Sequence, residues 1–133
     1  MSALVIRQLL EAALEAVTPG FATAYENMEY KPVAGVPYQA VFLMLAEPEN
    51  PSFDKFHREI GYLQVNLAYP IHAGPKDAYT RAELIRAAFP RGKSFTSGSV
   101  TVTVQRTPAV DAGRVDGDRW FVPVKIRFFA NVG

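Results

Sequence analysis

The chain contains no cysteine. That excludes disulfides, thiolate metal sites and cysteine nucleophiles together. Long apolar runs are also missing: no stretch approaches the ~18 residues of a membrane span. The opening Met1-Ser2-Ala3-Leu4 has no basic segment, and Arg7 and Glu11 interrupt the apolar residues that follow, so no signal peptide is expected. No membrane partner is expected either. Histidine is scarce. His57 and His72 are the two present, and neither stands in a metal-ligand spacing. Charge of one sign is not in excess: the formal net charge is +1, too small for a general attraction to nucleic acid.

What is present suits an ordinary globular protein. Hydrophobic residues make up 49% and charged residues 20% of 133 residues. A chain of this length is expected to fold as one domain over residues 1–133, needing no metal or cofactor.

The small net charge hides a segregation. Residues 8–29 carry Glu11, Glu15, Glu26 and Glu29 with no Lys or Arg. Residues 84–110 carry Arg86, Arg91, Lys93 and Arg106 with no Asp or Glu. One reading is solvated surface. The other is a head-to-tail interface, in which the acidic face of one copy meets the basic face of the next.

Periodicity predicts the elements. Residues 4–17 read as an amphipathic helix with Ile6, Leu10, Ala13 and Val17 on one stripe, widened by Leu9 and Leu14. Ser2 can cap it, and Thr18-Pro19-Gly20 stops it. Residues 22–30 form a weak strand, and Lys31 to Pro37 a turn. Residues 38–46 are nearly all apolar, as in a central strand covered on both faces, or on one face by helices and on the other by a partner. Residues 58–69 alternate cleanly, with Leu63, Val65, Leu67 and Tyr69 on one side. Residues 76–89 form a second helix on Ala78, Ala82, Ile85 and Phe89, with Arg81 and Arg86 away from the stripe's centre. Strands follow at 99–106 and 119–129, and Pro123 in the latter suggests an edge or a bulge. The order α-β-β-β-α-β-β argues for an α+β fold, an antiparallel or mixed sheet with both helices on one face.

Catalytic machinery does not emerge. Asp111, Asp116 and Asp118 cluster, and acidic oxygens at alternate positions suit a hard cation. The string lacks the rest of a calcium loop, however, and Asp116-Gly117 is a common tight-turn pair. No phosphate loop and no nucleophile elbow are present. Two long loops, Glu47–Lys55 and Thr107–Asp118, are candidates for partner contact. Phe121 and Phe129 point away from the core face of the last strand, so they either form a second buried layer under a helix or belong to an interface.

Five segments carry a resemblance in their order: Gly35-Val-Pro-Tyr-Gln39, Ala46-Glu-Pro-Glu-Asn-Pro-Ser52, Arg58-Glu-Ile-Gly-Tyr-Leu-Gln-Val65, Arg81-Ala-Glu-Leu-Ile-Arg86 and Asp116-Gly-Asp-Arg-Trp-Phe-Val-Pro-Val124. Together they resemble a phage and prophage family of tail terminator-like proteins, similar in fold to the lambda-type minor tail protein. The resemblance implies a structural protein with no catalytic, cofactor or metal residues. It implies a hexameric ring of this chain at the head-proximal end of the tail tube, assembled in the host cytoplasm. The ring would stop polymerisation and offer a joining surface to the head. Its partners would be other copies of itself, the major tail tube protein and head–tail connector proteins, with DNA only passing through the lumen. Candidate interface residues are Glu11, Glu15, Glu26, Glu29, Arg91, Lys93, Arg106, Phe121 and Phe129. The alternatives are another head–tail connector or tail completion protein, or a small metal-dependent hydrolase using Asp111, Asp116 and Asp118.

Overall fold

A computed structural model describes residues 2–51, 53 and 56–133, the side chain of Ser2 excepted. The first helix, α1, spans Ser2–Glu15. Its stripe folds as the spacing requires: Ile6, Leu10, Leu14 and Val17 are buried, with Leu9 and Ala13 packed at the margin. Ser2 is already helical, and the capping role expected of its side chain lies outside the described residues.

The strand expected over 22–30 shrinks to β1, Thr23–Ala24. Beyond it the chain turns, with the Met28 amide donating to the Tyr25 carbonyl at 3.3 Å. The turn lets Glu26 reach sideways to other elements. Tyr38–Leu45 form β2, His57–Pro70 form β3, and Lys76–Ala88 form the second helix, α2. Asp77 in the first turn of α2 and Arg86 in the last suit the helix dipole. Ala78, Ala82, Ile85 and Phe89 are buried as expected. Arg81 is a correction, because it is buried rather than lying off the stripe. Its guanidinium donates to the Pro19 carbonyl and lies 4.5 Å from the centre of the Phe21 ring. Only the tertiary placement of residues 19–21 makes that position tolerable to a cation.

The second half of the chain holds more strands than its periodicity shows. β4, Ser94–Ser97, forms a hairpin with β5, Val100–Val104. The supposed loop over 107–118 contains β6, Ala109–Val110, and β7, Arg114–Asp116, both pairing with the long final strand β8, Arg119–Val132. Asp116-Gly117 makes the tight turn into β8, with Gly117 at φ 62°.

The sheet runs β1-β2-β3-β8-β5-β4, with β6 and β7 beside β8. β1 joins β2 in parallel and every other pairing is antiparallel, so the sheet is mixed. β2 is therefore next to a margin rather than central. β8 is central, which corrects the edge position expected from Pro123. The sheet tolerates this proline because its missing donor faces the break between β6 and β7, where only its carbonyl is used, accepting from the Asp111 amide at 2.9 Å. Both helices contribute to one core. It is lined by Val41, Leu63, Val65, Leu67 and Tyr69 from β2 and β3, the even-numbered residues 122–130 of β8, and Val100, Val102 and Val104 of β5. Each fully buried Leu or Ile there contributes roughly 1.5–3 kcal/mol.

Candidate functional site

Alternation along the strands divides the sheet into two unlike faces. The helices cover one. The other, among the described residues, has no helix over it. It presents Tyr38, Phe42 and Met44 of β2, Tyr62, Gln64 and Asn66 of β3, and Phe121, Lys125, Arg127 and Phe129 of β8, placed side by side by the register. Phe121 and Phe129 thus lie on an uncovered face and do not form a layer beneath a helix. Both are half-buried by their neighbours.

Cations and rings alternate on this face. Lys125 and Arg127 lie 5.6 and 5.5 Å from the centre of the Tyr62 ring, and Arg58 lies 5.3 Å from that of Phe129. Arg58 also donates through Nε to Asn131 at 3.0 Å, and Gln64 donates to Asn66 at 2.8 Å. Phe121 forms part of a groove of about 250 Å³ with Tyr38, Phe42, Arg114 and Pro123. One end of the face is closed by the 31–37 turn. Arg119, buried beneath it, donates to the carbonyls of Val33 and Val36 at 2.7 and 2.6 Å and lies against Tyr38.

The two charged segments fall at opposite margins of the sheet order. At the β1–β2 margin, Arg7 of α1 gathers two of the acids: Glu26 at 2.9 Å and Glu11 at 3.2 Å. Burial opposes the charge on Arg7, but these carboxylates outweigh it and hold its pKa above the ordinary value. Burial likewise pushes Glu11 up, and with the repulsion of Glu15 and Glu26 it outweighs the pull of Arg7 downward. For Glu26 burial is outweighed: the Leu43 amide donates to it at 2.7 Å, and with Arg7 this lowers its pKa. Glu15 accepts from the Tyr25 hydroxyl. Glu29 is apart, exposed beside Lys31 at 3.6 Å. Sequence reasoning missed Arg7, which stands one residue before the acidic segment and neutralises part of it.

At the other margin, the Lys93 carbonyl and the Gly92 amide both bond Val104, which brings Arg91, Lys93 and Arg106 to one end of the β4–β5 hairpin. No carboxylate within ion-pair distance of these three is found among the described residues. Arg86 is different: it bonds Glu83 and the Pro108 carbonyl, and so holds structure together.

The acidic triad does not assemble. Asp111 lies 3.4 Å from Lys125, and Asp116 belongs to the turn. Among the described residues no group of three or more His, Asp or Glu is placed to hold a metal ion. His57 lies 3.2 Å from Glu59 at the start of β3, while His72 is exposed in the β3–α2 turn. There it borders an apolar cleft of about 450 Å³ with Ile71, Val115 and Trp120. The loop over 47–55 makes one backbone bridge, Glu49 to Arg58; Ser52, Asp54 and Lys55 lie outside the described residues.

The sheet thus has a core on one face, an open aromatic and cationic face on the other, and opposite charges at its two margins. The family model described as phage tail terminator protein matches residues 5–128, and the chain belongs to that family. Its members are structural, not enzymatic, so the protein is a component of the virion tail and associates with other tail proteins. One solved structure, which bears no functional name, is 25% identical, covers 100% of this chain and 96% of its own, and superposes with a TM-score of 0.75. No curated protein matches. No described helix is long and apolar enough to cross a membrane.

Proposed function

We propose that residues 1–133 act as one tail-terminator domain that closes into a homohexameric ring at the head-proximal end of the tail tube. The ring stops tube polymerisation, and its far side receives the head–tail connector proteins. DNA only passes through its lumen, and assembly takes place in the host cytoplasm before the tail joins the head.

The observation that carries this reading is the separation of charge. A ring needs two different, complementary patches on each subunit, related by a rotation that closes. Glu11, Glu15 and Glu26 stand at one margin of the sheet order, and Arg91, Lys93 and Arg106 at the other. An isologous contact through either margin alone would set like charges together instead. Phe121 and Phe129, on the open face, are available to the tube or to a neighbouring copy.

Electron microscopy of the purified protein, alone and added to tail tubes, tests the proposal. Rings at one tube end are expected, and phage lacking the gene should make tubes of uncontrolled length. Labelled protein found elsewhere in the virion, with tube length normal in its absence, would instead indicate another connector or completion role.

A further inference from the structure

Resting on the ring reading, we propose that the two sheet margins are halves of one joint. β4 of one copy adds as a parallel strand to the uncovered half of β2 in the next, in a register that sets Lys93 beside Leu43 and Ser94 beside Met44.

Strand direction is the first argument. From β2 through β3, β8 and β5 to β4 every pairing is antiparallel, so β2 and β4 run the same way. A rotation about an axis along the strands preserves that direction. It therefore brings the β4 of a neighbour alongside β2 in parallel, the sense in which β1 already joins β2.

Unpaired backbone is the second. β1 reaches only Gln39 and Ala40 of β2. On that margin the Gln39 amide is held by Ala22 and the Leu43 amide by Glu26. The Ala46 amide donates to Ile60, so even-numbered residues of β2 face β3 and odd-numbered ones face the margin. The Leu43 carbonyl and both backbone groups of Leu45 are thus turned to a side where, among the described residues, no strand lies. Met44 and Leu45 beside them are 47% and 40% exposed. On β4, Phe95 and Ser97 pair with β5, which turns the amides and carbonyls of Ser94 and Thr96 outward. Edge strands of monomers are usually blunted by a charge, a proline or a bulge. Ser94-Phe-Thr-Ser97 has none of these within it.

Charge sets the register. Lys93 opens β4, with Arg91 and Arg106 at the same end of the hairpin. Glu26 sits on Leu43, with Glu11 joined to it through Arg7. Lys93 beside Leu43 meets these carboxylates, and four residues of β4 then run along the stretch starting at Met44. Ser94 and Met44 point to the same open face, since Ser94 pairs with Thr103 and Met44 with Tyr62.

The absence of cysteine makes the test clean. Adjacent parallel strands lie about 4.8 Å apart, within disulfide reach. Rings of the Met44→Cys, Ser94→Cys double variant, formed alone or on tail tubes and then oxidised, should give a ladder of covalent oligomers up to the hexamer. Each single variant should give none. Thr96→Pro removes an outward donor that β5 does not use, and should raise the concentration needed for assembly at least about fivefold with an unchanged circular dichroism spectrum. Rings that form normally in the double variant without a ladder, and in Thr96→Pro at an unchanged concentration, would overturn the joint and leave the ring reading standing. Finding neither rings nor a ladder on tubes would overturn both.

Discussion

Arg119 donates from Nη1 to the carbonyl oxygen of Val36 at 2.6 Å, across 83 residues of chain. A second bond, from Nη2 to Val33, fixes the 31–37 turn over the end of the open face. Arg119→Ala should cost about 2 kcal/mol in urea unfolding, because two carbonyls lose a charged donor. Arg119→Lys should recover less than half, since an ammonium does not present a planar fork. A variant as stable as the parent would show that the turn is held by its own prolines.

Gly61 shows a close approach of a different kind. A Cβ at this position would collide with the carbonyl oxygen of Met44 on the neighbouring strand, which is backbone and cannot step aside. Gly61→Ala should therefore destabilise by about 1–3 kcal/mol, as overpacking does, despite the helpful loss of unfolded-state freedom. A rise in the urea midpoint would show that β2 and β3 separate easily at this point.

These two residues also mark where the sequence stops being readable. The helices and the three long strands were legible because their apolar residues recur at the helical or the two-residue period, as in Ile6, Leu10 and Leu14 or Leu63, Val65 and Leu67. β6 and β7 are two and three residues long, too short to show any period, and exist only because β8 offers them a partner. Arg81 reads as a surface residue until Pro19 and Phe21 arrive from 62 and 60 positions away. The acidic and basic segments were visible as runs of charge. Their opposite margins were not, because the strand order β2-β3-β8-β5-β4 is not the chain order.

The Glu26 carboxylate ties the acidic margin to folding. Although burial raises its pKa, the Leu43 amide and Arg7 together bring it below the ordinary carboxylate value. A group depressed in the folded state contributes stability that is present above its unfolded pKa and lost as pH falls through the folded one. Glu11, raised mainly by burial, acts with the opposite sign over the pH range above its unfolded value. Glu26→Gln should therefore lose stability near neutral pH and show a shallower fall in acid, below about pH 4.3. Urea midpoints taken from pH 7 to pH 3 measure this. Parallel curves for the two proteins would remove Glu26 from the linkage.

Two of the six tyrosines, Tyr25 and Tyr69, should titrate late, and Tyr25 is the one tied to a carboxylate. Burial, then the bond to Glu15 and its negative charge, push its hydroxyl up to about 12. Because the pKa is raised, the neutral phenol is favoured in the fold, and this contribution is present below pH ~10 and lost as pH rises toward 12. Phenolate absorbance should show late titration from both Tyr25 and Tyr69, and Glu15→Gln should move only the Tyr25 step to lower pH. Two unmoved steps would assign the late titration to other tyrosines.

Arg91 and Lys93 pair with no carboxylate among the described residues. If they meet the acidic margin of the next copy, Arg91→Glu with Lys93→Glu should weaken assembly roughly tenfold at low ionic strength. The stability of the isolated subunit should be nearly unchanged, since neither residue contributes to the core. Salt discriminates between charge and shape. At ~1 M the screening length falls to about 3 Å, so the gap between variant and parent should close if the loss is electrostatic and persist if the turn itself has been distorted. Sedimentation of both proteins across that salt range measures the gap directly. Equal assembly at every salt concentration would place the joint between copies away from this end of the hairpin.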